Sequence, residues 1–317
     1  MTRVFITIDT ELMWRHHVSG LDAATIVQRS LEPAGVGIGW QLAQLRGHGL
    51  KATFFVDPMP CLIFGTDWMK RVVGEILDAG QEVQLHLHPN WAGAKLGDRG
   101  AAYAAYELID YSFDEQRELL AGASDMLTAA GAPEPVAFRS GSYSASDDTL
   151  LALAELGFLY DSSHNGSEHP WPSAISLDRT QIAPVTHLGL TEVPVTLIED
   201  KRGHLRHFQI CALSAAEMRD ALDHAARERH AAVTIVGHSF ELANRAGTRP
   251  NTVHVRRFET LCRILAERKN VLTTAHFADR PDLALDHHDK PLGPSMIRTR
   301  LRQAEQLWSN WVEERAA

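Results

Sequence analysis

Val4-Phe5-Ile6-Thr7-Ile8-Asp9-Thr10-Glu11 is an apolar run that stops on two carboxylates. A continuous apolar run of this length reads as a strand buried on both faces, as in a parallel sheet. The pattern recurs along the chain. Glu82-Val83-Gln84-Leu85 runs into His86 and His88, and Pro135-Val136-Ala137-Phe138 into Arg139 and Tyr143. Gly157-Phe158-Leu159-Tyr160 runs into Asp161, and Ala232-Val233-Thr234-Ile235-Val236-Gly237 into His238. Parallel α/β folds gather ligands and catalysis at the carboxyl ends of their strands, where these polar residues stand.

Working outward, helix-like segments alternate with the runs. Helices are expected over 36–47, 67–79, 114–130, 146–156, 214–229 and 255–267, and further strands over 51–56, 192–198 and 271–274. Such alternation is that of a parallel sheet or barrel. The 317 residues suit one α/β barrel with additions or two smaller domains. The loops 89–111 and 162–176 are longer than most connections and follow strands bearing polar ends. Trp91, Tyr103, Tyr106, Tyr111 and Trp171 in them either form platforms for sugar rings or fill the loops' own small cores. Near the C-terminus, Ile297, Leu301, Ala304, Trp308 and Trp311 recur on one helical face. That face either packs across the barrel, the simpler expectation, or forms the seam of a homodimer.

Composition excludes several classes. A hydrophobic fraction of 44% and a charged fraction of 22% are those of a globular protein, and a net charge of −9 argues against a nucleic-acid partner. Cys61, Cys211 and Cys262 are few, odd in number and without metal-type spacing, which disfavours a disulfide framework. No run of about 20 apolar residues could span a bilayer, and the first strand begins too early for a secretory leader, so a cytoplasmic location is expected.

The strand ends carry a metal-binding vocabulary. His86 and His88, two apart on a strand, point to the same face and can grip one transition metal. As an ordinary core pair they would need hydrogen-bond partners for every ring nitrogen. Asp9 and Glu11 repeat the spacing with carboxylates, whose repulsion and desolvation a cation would relieve. Arg139, after a buried run, needs a carboxylate, and either Asp9 or Asp161 would serve. His238 adds a lone histidine at another strand end. Together these residues suit metal-assisted hydrolysis: a divalent metal polarises a carbonyl, a carboxylate takes a proton, and a histidine protonates the leaving group.

The order of these segments, from about Thr2 to Ala278, resembles the polysaccharide deacetylase family, the NodB-homology carbohydrate esterases. Thr7-Ile8-Asp9-Thr10-Glu11 is similar to the family's Thr-Phe-Asp-Asp motif, which puts Asp9 at the catalytic base and Glu11 in place of the usual second Asp as metal ligand. In Glu82 to Pro89, His86 matches the first histidine ligand; Asn90 stands where the second would be, and His88 replaces it. Phe138-Arg139-Ser140-Gly141-Ser142-Tyr143 resembles the third motif, implying that Arg139 orients Asp9 and that the backbone N–H near Tyr143 holds the oxyanion. Tyr160-Asp161-Ser162-Ser163 is a reduced fourth motif, and Gly237-His238-Ser239-Phe240 a fifth, with His238 as general acid and Glu241 orienting it or touching substrate.

The resemblance implies a distorted (β/α)7 barrel over residues 1–280 and a C-terminal helical extension over 281–317, packed on the barrel or at a dimer interface. It implies a zinc-type divalent metal enzyme that removes an N-acetyl or similar acyl group from an amino sugar, free or carrier-linked, in surface-glycan biosynthesis. Ser142, Trp91, Trp171 and Glu241 are the expected substrate contacts. Two other readings keep the fold: a hydrolase of a non-sugar amide or ester, and a carbohydrate-binding protein without turnover.

Overall fold

Residues Thr2–Thr10 form β1 in the computed structural model, which describes residues 1–95, 106–285 and 287–314. Everything from Val4 to Thr10 is buried, which is why the run shows no alternation of apolar and polar residues. β1 lies between β2 (Ala52–Val56) and the strand Ala232–His238, parallel to both. The sheet continues through β3 (Glu82–Leu87), β4 (Ala137–Ser140), Tyr160–Asp161 and Leu190–Glu192, and ends on antiparallel Val185–His187. Leu272–Thr274 pairs with the start of β1.

The ends of this curled sheet are joined irregularly. Val195 N–H donates to the His164 carbonyl at 3.0 Å, while Thr196 N–H donates to Thr234 at 3.2 Å and Ile210 N–H to Val236 at 2.9 Å, both on the strand Ala232–His238. The architecture is the distorted (β/α)7 barrel. Helices cover its outside because their apolar faces match it: Trp68, Met69, Val72, Val73 and Ile76 recur at helical spacing within Asp67–Asp78 and are all buried. The helix Phe113–Ala129 starts at a capping box in which Ser112 N–H donates to Glu115 at 2.8 Å.

Three local expectations change. Residues 192–198 are not one strand: Leu190–Glu192 belongs to the barrel, whereas Leu197–Lys201 forms a separate hairpin with His204–His207. Pro194 lies between them and cannot donate to a ladder. The stretch before Val36 holds two helices that apolar periodicity leaves unmarked, α1 (Trp14–Val18) and α2 (Ala23–Leu31), the latter capped by Asp22 accepting from Thr25 N–H at 3.0 Å.

The C-terminal helix Met296–Trp308 turns its apolar stripe outward, with Ile297 75% and Trp308 58% exposed. Its polar side docks instead: Arg298 pairs with Asp220 at 3.2 Å, Arg302 with Asp200 at 3.5 Å, and Glu305 with Arg257 at 2.9 Å. The surface beneath is acidic, so it selects the arginine face over the apolar one. Among the described residues, no helix is long and apolar enough to cross a membrane. Tyr103 lies outside the described residues.

Candidate active site

Sheet register assembles the site. In the β1 pairing Asp9 stands opposite His238, and in the β3 pairing His86 stands opposite Arg139. Residues from four strand ends thereby line one cavity of about 230 Å³, among them Asp9, Glu11, His86, His88, Tyr143 and His238.

Glu11 and the two histidines form the candidate metal centre. Their donor atoms all lie within 4.8 Å of one another. Glu11 Oε2 is 3.4 Å from His86 Nε2 and in direct contact with His88 Nε2. His86 Nδ1 lies 2.7 Å from the Arg139 carbonyl, which can only accept, so Nδ1 carries the proton and the Nε2 lone pair is left facing Glu11. A histidine whose tautomer is fixed by a backbone carbonyl is the usual arrangement of a metal ligand. Burial would raise the Glu11 carboxyl, but His88 and His86 beside it hold it well below the ordinary range. Burial would likewise lower His88, yet Glu11 and then Asp57 push it up to about 9. One carboxylate and two imidazoles so placed fit a divalent cation.

The His88 ring occupies space that only a glycine leaves. A Cβ on Gly141 would lie 2.4 Å from His88 Nδ1 and Cε1. The next two residues, Ser142 and Tyr143, have φ of 54° and 59°, a left-handed conformation costing non-glycine residues about 1–3 kcal/mol each. Both line the cavity.

Asp9 is 3% exposed and accepts from Arg139 Nη1 at 2.9 Å. Arg139 is wholly buried, and its other donors are fixed: Nε and Nη2 donate to the Ser162 carbonyl and hydroxyl, both at 3.0 Å, and Nη1 also donates to Thr7 Oγ1 at 2.6 Å. The guanidinium stacks 4.7 Å over Phe55. Arg139 thus pairs with Asp9 rather than Asp161, whose two oxygens accept from Ser163 at 2.9 and 2.8 Å behind the cavity.

The second oxygen of Asp9 lies 3.9 Å from His238 Nε2. His238 Nδ1 donates to Glu241 at 3.1 Å, and the Gln209 amide donates to the same carboxylate at 3.1 Å. Burial pulls the His238 pKa down, but Glu241, followed by Asp9 and Glu11, raises it to about 9, so the ring is protonated at neutral pH.

Some expected residues lie elsewhere. Trp91 is buried against Trp14, with ring centroids 4.8 Å apart, and lines an adjoining cleft of about 310 Å³ together with Asn90, Glu11 and His88. Trp171 is 65% exposed and lies outside the described linings of either cavity. Sequence reasoning misses Asp57, His207 and Gln209. Asp57 follows β2 and is wholly buried, with one oxygen accepting from Met59 N–H at 3.0 Å and the other unpartnered among the described residues. Burial, opposed by His88 and His86, raises its pKa to about 6. Its place after an apolar strand was the available signal. His207 ends the separate hairpin and Gln209 follows it; both reach the cavity, and no local pattern marks them.

Solved structures resemble the chain over nearly its whole length. One from Mycobacterium smegmatis, provisionally assigned as a polysaccharide deacetylase, aligns with a TM-score of 0.59 at 17% identity, covering 91% of this chain and 94% of that one. The chain has the polysaccharide deacetylase fold. A second, from Pseudomonas aeruginosa and with the same provisional assignment, aligns at 0.51 and 13% identity, covering 88% and 89%. No family model and no curated protein matches the sequence.

Proposed function

We propose that this protein is a divalent-metal amidohydrolase that removes an N-acetyl or similar acyl group from an amino sugar. The observation that carries the reading is the single cavity in which a carboxylate–guanidinium pair, a protonated histidine and a Glu–His–His triad meet. Glu11, His86 and His88 would hold the cation, zinc by preference for this donor set. When bound, it supplies Lewis acidity toward the acyl carbonyl and a lowered pKa for water. Asp9, oriented by Arg139, accepts the proton of the attacking water. The backbone N–H of Tyr143 is the donor assigned to the developing oxyanion. His238, held by Glu241, gives its proton to the departing amine, and Ser142 lines the substrate's approach. Asp161 supports this machinery from behind through Ser163 and does not touch substrate.

The same reading places the work in surface-glycan biosynthesis in the cytoplasm, with which three unpaired cysteines agree. It treats residues 281–317 as an extension of the barrel, whose outward apolar face a second copy would cover. Metal analysis of the purified protein with a screen of N-acylated amino sugars tests it. Stoichiometric zinc and release of acetate from an amino sugar are expected. Turnover that survives chelation, or confinement of activity to amides and esters lacking a sugar, would refute it.

A further inference from the structure

Next to the reaction cavity the chain collects cations. The cleft containing Glu11 and His88 also contains Arg15, Phe240 and Arg245, and these three border a larger cavity of about 950 Å³ that adds His16 and Arg29. The reaction cavity shares Glu11 and His88 with the cleft, and the cleft shares Arg15, Phe240 and Arg245 with the larger cavity, so the three spaces adjoin in series from the candidate metal centre to three guanidinium groups. Phe240 is the hinge of that path: its ring lies 5.1 Å from His238 on one side and 6.0 Å from Arg15 on the other.

Several polar atoms in this cavity lack partners. His16 is 5% exposed and, its pKa lowered to about 4 by burial and by Arg15 and Arg29 beside it, is a neutral imidazole whose Nε2 has no partner among the described residues; neither has the buried Nε of Arg15. The only described hydrogen bond of the Arg15 guanidinium goes to the Met13 sulfur, a weak acceptor, at 3.3 Å. Two carboxylates face the same space: Glu241 accepts from His238 and Gln209 through Oε2, its Oε1 having no hydrogen-bond partner among the described residues, and Glu314 accepts from the backbone N–H of Arg245 at 2.7 Å. Buried donors without acceptors cost free energy unless a ligand completes them, and crowded like charges call for an anion between them. Burial, and then Arg245 beside it, lower Arg15 to about 10, so it keeps its charge at neutral pH. In a chain of net charge −9 this is a local reversal.

We infer that Arg15, Arg245, Arg29 and His16 bind a phosphate or diphosphate group attached to the sugar, so that the substrate is a glycosyl phosphate rather than a neutral oligosaccharide. Planar guanidinium forks match phosphate oxygens, and the groove sets this group one aromatic ring from the proposed acid. The inference rests on the deacetylase reading for the identity of the sugar.

Equilibrium binding of glucose 1-phosphate and of glucose to the zinc-loaded full chain tests the anion site without any turnover. The phosphate should improve affinity at least about tenfold, and Arg245→Gln and Arg15→Gln should each remove most of that advantage. Arg245 is exposed, so its substitution should leave the fold intact. Equal binding of the two probes, or an advantage that survives both substitutions, would overturn the inference. Kinetics separate it from the reaction. Hydrolysis of N-acetylglucosamine with a KM unchanged by a 1-phosphate overturns the anion site and keeps the deacetylase; tight phosphate binding without hydrolysis of any acetylated sugar does the reverse. A lower KM for the uridine diphosphate ester points to a nucleotide carrier. A lower KM for a polyprenyl-phosphate ester in detergent micelles points to a lipid one. Either supports the site, and neither falling below the free sugar overturns it.

Discussion

Gly141→Ala is a sharp test of His88 as a metal ligand because it changes no charge and no donor. The added Cβ would lie 2.4 Å from two atoms of the His88 ring, where ordinary contact begins at 3.4 Å. The ring must therefore retreat by about 1 Å, the difference between those distances. Gly141 itself is not in the left-handed region, so alanine brings no backbone strain of its own. A displacement of about 1 Å in a reacting constellation costs roughly 10²-fold in rate, and disturbing the support of a ligand costs about 10- to 100-fold in metal affinity. Zinc titration against a chelating competitor and kcat on an acetylated amino sugar should both fall, with the melting temperature little changed. Gly122→Ala is the control, because its Cβ would meet nothing within 4 Å. Wild-type zinc affinity and wild-type turnover in Gly141→Ala would refute the assignment of His88.

Asp9→Asn should retain zinc and lose turnover, since Asp9 is assigned to the proton and Glu11 to the metal; equal loss of both would make Asp9 a ligand. His238→Ala should slow amide cleavage by about 10²–10⁴ and an activated ester far less, because only the amine needs a proton to depart. Parallel losses on both substrates with zinc still bound would remove the acid role. His238 has its pKa raised to about 9, so it holds its proton below that pH and loses it above; amide hydrolysis should decline as pH rises through about 9. Glu241→Gln deletes the strongest influence raising that pKa, so this alkaline limb should move to lower pH, and a limb that stays in place would disconnect His238 from it.

The barrel and its polar strand ends were legible in the sequence because both follow from local rules. A strand buried on both faces is mostly apolar, and ionisable side chains gather where it stops, so Asp9, His86, Arg139 and His238 announced themselves at once. Two-residue spacing likewise put His86 beside His88, and Asp9 on the face of Glu11. What the chain could not announce was who meets whom. Arg139 could have taken Asp9 or Asp161, and sheet register together with the Ser162 contacts chose Asp9. His207 and Gln209 arrive from the end of a hairpin that Pro194 separates from the barrel. The C-terminal helix shows an apolar stripe that periodicity would bury, yet the acidic surface of Asp200, Glu217 and Asp220 captured its arginines and left the stripe outside. The basic groove depends on Arg15, Arg29 and Arg245, which stand on α1, on α2 and beyond the strand Ala232–His238, too far apart in sequence for any motif. Periodicity and strand-end chemistry are properties of a segment and survive in one dimension, whereas pairing between distant side chains exists only once register and packing have brought them together.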